Sequence, residues 1–147
     1  MTVRILFVCY GNICRSPTAE FVMKDIASRT HMDAVISSAG TDAEVGCDVW
    51  PGMREQLDIH KVPWDHRGAR QLEKADYGRY DIIAGMDADN MSSMRRIFGG
   101  DPDGKLRLLL SDRDLDDPYY TGDYQRAFRE ISEGCTSLSH EVLHRLP

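Results

Sequence analysis

The sequence predicts an α/β fold, a single domain over 1–147 built on a four-stranded parallel sheet with helices on both faces. Three observations predict it. Stretches of strand length alternate with stretches of helical period along the whole chain. The first of them, Val3–Cys9, is a near-continuous apolar run, as expected of a strand buried on both faces. The 147 residues, 41% hydrophobic and 29% charged, suffice for one sizeable core and are too few for two ordinary domains.

Each element has its own justification. After the first strand, Ser16 and Pro17 form a helix start, with the serine as cap and the proline in the first helical position. Ala19, Val22, Met23, Ile26 and Ala27 then recur on one helical face. Residues 34–39 read as a second strand, closed by Gly40. Residues 48–60 read as a short helix in which Met53 and Leu57 lie one turn apart, and 71–77 as another. A third strand is expected at 80–86. The helix over 87–98 turns Met91, Met94 and Phe98 inward and stops at Gly99 and Gly100. A fourth strand is expected at 105–110, and an irregular acidic loop at 111–122. The last helix starts near Asp123, and Tyr124, Phe128, Ile131, Cys135, Leu138 and Val142 make its core stripe.

Composition excludes several function classes. The longest apolar run is Ile5 to Val8, so no membrane-spanning segment is expected, and the N-terminus does not read as a signal peptide. The expected compartment is the cytoplasm. A formal net charge of −6 argues against a general nucleic-acid binder, although it allows one local basic pocket. Cys9, Cys14, Cys47 and Cys135 form neither a CxxC pair nor a zinc-ribbon pattern and do not suggest a disulfide framework. Glycine-rich nucleotide motifs are absent, and no cofactor is expected.

In parallel sheets, ligands bind beyond the carboxyl ends of the strands, near helix N-termini. The first such loop is Cys9-Tyr10-Gly11-Asn12-Ile13-Cys14-Arg15-Ser16-Pro17. Gly11 and Asn12 tolerate left-handed backbone, so the loop can curl with its N–H groups inward. The following helix N-terminus favours an anion, and Arg15 is a bidentate fork for phosphate-like oxygens. Tyr10, Gly11, Asn12, Ile13, Cys14 and Arg15 would together cradle an oxyanion. Cys9 at the base would be held as thiolate by the same groups. Cys14, five residues on, is the thiol placed to condense with Cys9 should peroxide oxidise it.

Attack by a thiolate on a phosphate ester needs an acid to protonate the departing oxygen. The loop after the fourth strand offers Asp112, Asp114, Asp116 and Asp117. Pro118 keeps Asp117 extended, and Asp116 in such a segment points the other way. Tyr119 and Tyr120 follow, two aromatics on an exposed loop that can wall a pocket for a flat substrate group. Such a pocket would admit a phosphate on a long aromatic stem and exclude one on a short seryl stem. His140-Glu141-Val142-Leu143-His144 matches a zinc-protease pattern, but both histidines fall about 200° from the core stripe at roughly 100° per residue, and no metal site is expected there.

The chain resembles the low-molecular-weight protein tyrosine phosphatases. The segment from Cys9 to Pro17 looks like that family's phosphate loop, and Asp117-Pro118-Tyr119-Tyr120 like its general-acid loop. Ser38-Ala39-Gly40-Thr41, Ala69-Arg70-Gln71 and Met86-Asp87 match its intermediate landmarks in order. The resemblance implies a flavodoxin-like, Rossmann-like sheet of order 2-1-3-4. It implies Cys9 as nucleophile, Arg15 as ligand of the phosphate and transition state, and Asp117 as acid and then base. It implies that Asn12 holds the loop's shape, that Ser16 donates to the Cys9 sulfur, and that Ser38 and His66 support Asn12. The implied partner is a phosphotyrosine-containing protein, with the chain a monomer or weak dimer.

The sequence departs from the family pattern in places. Arg67-Gly68-Ala69 between His66 and Arg70 is one residue longer than the family's spacing. The loop after Gly40 carries Ala43 and Glu44 where an aromatic often stands, which predicts a rim more open and more acidic on that side. Ile13 stands where arginine-phosphatase relatives carry threonine, which favours the tyrosine reading. Two alternatives share the loop. An arsenate reductase needs resolving thiols. A phosphocysteine carrier of a sugar-transport system has no use for Arg15 or Asp117.

Overall fold

The computed structural model describes residues 1–145, so Leu146 and Pro147 of the expected 1–147 domain lie outside the described residues. Four parallel strands form its sheet: β1 (Val3–Cys9), β2 (Ala34–Gly40), β3 (Ile82–Gly85) and β4 (Leu106–Leu108), in the order β2-β1-β3-β4. The helices are α1 (Arg15–Thr30), α2 (Pro51–Ile59), α3 (Asp76–Arg79), α4 (Ala88–Phe98), α5 (Pro118–Thr121) and α6 (Tyr124–Arg145). Among the described residues no helix is long and apolar enough to cross a membrane.

The continuous apolar run of β1 is explained by the layers it separates. Ile5, Phe7 and Cys9 face a core shared with α1, α2 and α6, whereas Leu6 and Val8 face Met91, Met94 and Phe98 of α4. Residues of both sets are at most 3% exposed on β1 itself. From β1 the chain passes to β2 on one side and then to β3 on the other. The loops leaving β1 and β3 therefore meet at the carboxyl edge, where ligands collect in open parallel sheets.

Three local expectations change. Ser16 is not the cap of α1; Cys14 takes that position, without a side-chain capping bond, because the Ser16 hydroxyl is engaged inside the preceding loop. The helix predicted over 71–77 is only Asp76–Arg79. Gln71 is held away from helix by a parallel bridge to Gly40 and by its side chain, which bonds Thr41 O at 2.8 Å and the Ala43 N–H at 2.9 Å. The acidic loop carries the short α5, capped by Asp117. On α6, Phe128, Ile131, Cys135, Leu138 and Val142 form the buried stripe.

Candidate active site

The loop after β1 is shaped by one left-handed residue. Asn12 has φ 58°, and it is 1% exposed. The sequence offered Gly11 and Asn12 for this turn. The structure uses only Asn12, whose amide offsets the unfavourable backbone conformation with three hydrogen bonds. Its Nδ2 donates to Ser16 Oγ at 2.9 Å and to Ser38 Oγ at 3.0 Å, and its Oδ1 accepts from the Arg70 N–H at 3.0 Å. Ser38 Oγ in turn donates to Glu20 Oε1 at 2.6 Å. The end of β2 comes so close to the loop that a Cβ on Gly40 would lie 2.7 Å from Tyr10 O, so only glycine fits there.

At the base of the loop Cys9 is 3% exposed, and its Sγ lies 2.9 Å from Ser16 Oγ. That hydroxyl accepts from Asn12, and its own proton has two acceptors within reach, the sulfur and, farther off at 3.4 Å, Ala39 O. Arg15 is 2% exposed. Its Nη1 donates to Asp87 Oδ2 and to Leu115 O, both at 2.7 Å, and its Nη2 reaches Asp117 Oδ2 at 3.4 Å. Its Nε is buried and has no hydrogen-bond partner among the described residues. Burial works against the guanidinium charge, but Cys9, Asp117 and Asp87 together outweigh it and hold the proton more tightly than usual.

Asp117 and Asp116 diverge. Asp117 caps α5, accepting from the Tyr119 N–H at 3.1 Å, and lines one cavity of about 280 Å³ with Cys9. Asp116 is exposed and lines a different depression beside Thr121 and Arg126. Tyr119 and Tyr120 wall the Cys9 cavity, as do Tyr10, Gly11, Ile13 and Cys14 from the loop. Burial, and then the neighbouring Asp117 and Cys9, push the Cys14 thiol up, against the pull of Arg15.

His66 is the one site residue that the structure does not bring in. It is 74% exposed and bonds Asp48 instead of Asn12. The longer spacing before Arg70 carries it outward, and Arg67, the next residue, approaches Ser38 with Nη2 at 3.4 Å.

Other functional positions were missed in the sequence. Trp50 also lines the cavity, beside the tyrosine wall. Its ring lies 5.0 Å from that of Tyr119, and its Nε1 donates to Tyr124 Oη at 2.8 Å. Glu44 and Cys47 also line the cavity, so the acidic rim is present. Asp87 read only as a family landmark at a helix start. An aspartate at the carboxyl end of the third strand, opposite the arginine loop, was the available signal. His140 and His144 are exposed at the end of α6, where His144 Nδ1 meets His140 O at 2.6 Å.

Comparison with known proteins shows the family. The family model described as low molecular weight phosphotyrosine protein phosphatase matches residues 4–146. The chain is 36% identical over 145 residues to the low molecular weight protein-tyrosine-phosphatase YfkJ of Bacillus subtilis, covering 92% of this chain and 93% of that one. It is 33% identical over 157 residues to low molecular weight phosphotyrosine protein phosphatase 1 of Drosophila melanogaster, covering 99% and 100%. The crystal structure of YfkJ superposes with a TM-score of 0.95 at 31% identity, over 100% of this chain and 98% of that one.

Proposed function

This chain belongs to the low molecular weight phosphotyrosine protein phosphatases, and from that premise we propose that it hydrolyses phosphotyrosine in proteins through a phosphocysteine on Cys9. In the first step the Cys9 thiolate attacks phosphorus, an S–P bond forms, and the bond from phosphorus to the aryl oxygen breaks. Asp117 gives its proton to that departing oxygen. In the second step a water attacks phosphorus and loses its proton to Asp117. The S–P bond breaks, phosphate leaves, and the Ser16 hydroxyl meets the returning thiolate. Arg15 holds the phosphoryl oxygens throughout, in the company of the loop N–H groups.

The observation that carries this reading is that Arg15, held at one end by Asp87, reaches Asp117 at the other, while Cys9 and Asp117 line one cavity. The aromatic wall of Trp50, Tyr119 and Tyr120 supports a flat aryl stem and disfavours phosphoserine.

The test is the Cys9→Ser variant, with vanadate binding measured alongside turnover of p-nitrophenyl phosphate. Turnover should vanish while oxyanion binding persists, because the cradle consists of backbone and Arg15. Retention of a few per cent of kcat would overturn the covalent route. An arsenate reductase would have to relay its disulfide through Cys47, since Cys135 is fully buried. Thiol-dependent arsenate reduction by wild type, lost in Cys47→Ser, would favour that reading instead.

A further inference from the structure

We infer that Arg67 is a positioning residue for the reaction: with Glu20 it fixes the direction of the Ser38 hydroxyl, and through Ser38 the amide of Asn12 and the Ser16 hydroxyl that meets the Cys9 sulfur. The inference rests on the proposed role of Cys9 as nucleophile.

The Ser38 side chain, on a residue 6% exposed, has three polar neighbours: Glu20 Oε1 at 2.6 Å, Asn12 Nδ2 at 3.0 Å and Arg67 Nη2 at 3.4 Å. A carboxylate can only accept, and a guanidinium can only donate. The single Ser38 proton therefore goes to Glu20, and its lone pairs face Arg67 and Asn12. Asn12 must then turn its NH2 toward Ser38 and Ser16, and its carbonyl toward the Arg70 N–H. A flipped amide would set oxygen against oxygen at Ser38 and nitrogen against nitrogen at Arg70. Because Asn12 donates to Ser16, the Ser16 proton is free to turn to Cys9 Sγ at 2.9 Å, the nearer of its two acceptors, Ala39 O lying at 3.4 Å. The polarity of the whole chain is set at its far end by the two charges.

Arg67 also answers an electrostatic problem. Glu20 places a carboxylate, with a side chain 13% exposed, behind a loop that must hold an anion. Lys24 bonds its outer oxygen at 2.6 Å. Arg67 supplies the inner counter-charge: burial works against its proton, while Glu20, Cys9 and Asp48 attract it. Its Nη1 is buried without a hydrogen-bond partner among the described residues. Such a group is retained at a cost unless its charge serves the surroundings. The titratable and charged groups around this unit are Arg15, Asp87, Asp117 and Cys14 on the Cys9 side, and Glu20, Lys24, Asp48, Arg54 and His66 on the Arg67 side.

The experiment compares Arg67→Met, Arg67→Lys, Ser38→Ala and the double variant Arg67→Met/Ser38→Ala. Each is read for p-nitrophenyl phosphate turnover across pH and for phosphoenzyme formation in rapid quench. Arg67→Met keeps the apolar stem and removes the charge. Its kcat/KM should fall roughly tenfold or more, the worth of a hydrogen bond to a charged partner, and the acid limb of the pH profile should move to higher pH. Arg67→Lys should restore the limb and most of the rate, which a merely structural arginine would not do. The double variant should be no worse than the worse single, because both changes break one chain. An Arg67→Met enzyme within twofold of wild type and with an unmoved limb would overturn the inference, as would losses that multiply in the double variant. If Arg67→Met does not fold, the decision passes to Arg67→Lys against Ser38→Ala. A lysine variant as impaired as Ser38→Ala overturns the role, and one near wild type upholds it. A phosphocysteine trapped on wild-type Cys9 keeps these outcomes distinct from failure of the catalytic reading itself.

Discussion

Arg15 and Asp87 are joined at 2.7 Å, tying the loop after β1 to the second residue beyond β3. Asp87 serves two ends at once. One oxygen accepts from Arg15, and the other caps α4 by accepting from the Asn90 N–H at 2.7 Å. The guanidinium is thereby fixed from outside its own loop, with Leu115 O as a second anchor.

The two duties of Asp87 separate by substitution. Asp87→Asn keeps a capping side chain and removes the charge, so melting should change little while kcat/KM falls about 10–100-fold. Asp87→Ala should show the same kinetic loss and an additional loss of about 1 kcal/mol in stability, the worth of the cap. Equal stability of the two variants in urea titration would refute the division.

The acid assignment is read from leaving-group dependence. Asp117→Asn should cut kcat by roughly 10²–10⁴-fold on alkyl or poor aryl phosphates. An activated phenol departs unprotonated and should suffer less. Asp116→Asn should stay near wild type, because that residue is exposed on a separate depression. Loss confined to Asp116→Asn would move the role.

Trp50 should matter for binding more than for chemistry. Trp50→Ala removes the ring packed on Tyr119 and the bond to Tyr124. KM for a phosphotyrosine peptide should rise about 2–10-fold with kcat nearly constant, as expected for loss of one aromatic pair. A fall in kcat at unchanged KM would contradict a wall function.

Burial pushes the Cys14 and Cys135 thiols above the ordinary value of 9.0, Asp117 and Cys9 adding to the effect at Cys14. A thiol raised in this way keeps its proton in the folded chain after the unfolded chain has lost it. The stability it contributes is therefore full below about pH 9 and is lost as pH rises further, by about 1.4 kcal/mol per pH unit for each thiol. Urea titrations from pH 9.5 upward should show Cys135→Ala with a shallower fall than wild type, whatever its stability at pH 7. Parallel slopes would be the contrary result.

Cys14 also bears on oxidation. Cys9 and Cys14 line one cavity, and Cys47 stands on its rim. After treatment with hydrogen peroxide, a Cys9–Cys14 disulfide should be found by non-reducing mass spectrometry, and thiols should restore activity. Cys14→Ser should lose activity irreversibly under the same treatment. If Cys14→Ser recovers fully while Cys47→Ser does not, Cys47 is the resolving thiol.

The sequence by itself determined what is local. A run buried on both faces could only be a central strand, and β1 holds the same residues in the structure. The spacing of apolar residues placed α1, α4 and α6, because each buries one apolar stripe in the core. The loop from Cys9 to Arg15 was legible because its glycine, asparagine, cysteine and arginine are contiguous, and Asp117 because the following proline fixes its backbone. Tertiary structure decided which distant side chains arrive at that loop. Asp87 meets Arg15 only because β3 lies beside β1, and Trp50 reaches Tyr119 only because the segment before α2 is pinned to Ile13 O through its own N–H at 2.8 Å. The order His66-Arg67 could not say which of the two turns inward. That was settled by the parallel bridge at Gly40 and Gln71 and the Arg70 N–H bond to Asn12, which fix the register of the segment and leave Arg67, rather than His66, facing Ser38. Ser16 shows the same limit in a single residue. Its hydroxyl suits a helix cap or the Asn12 and Cys9 contacts, and only the closed loop chose between them, by bringing Asn12 Nδ2 and Cys9 Sγ each to 2.9 Å from a hydroxyl that is buried and needs partners.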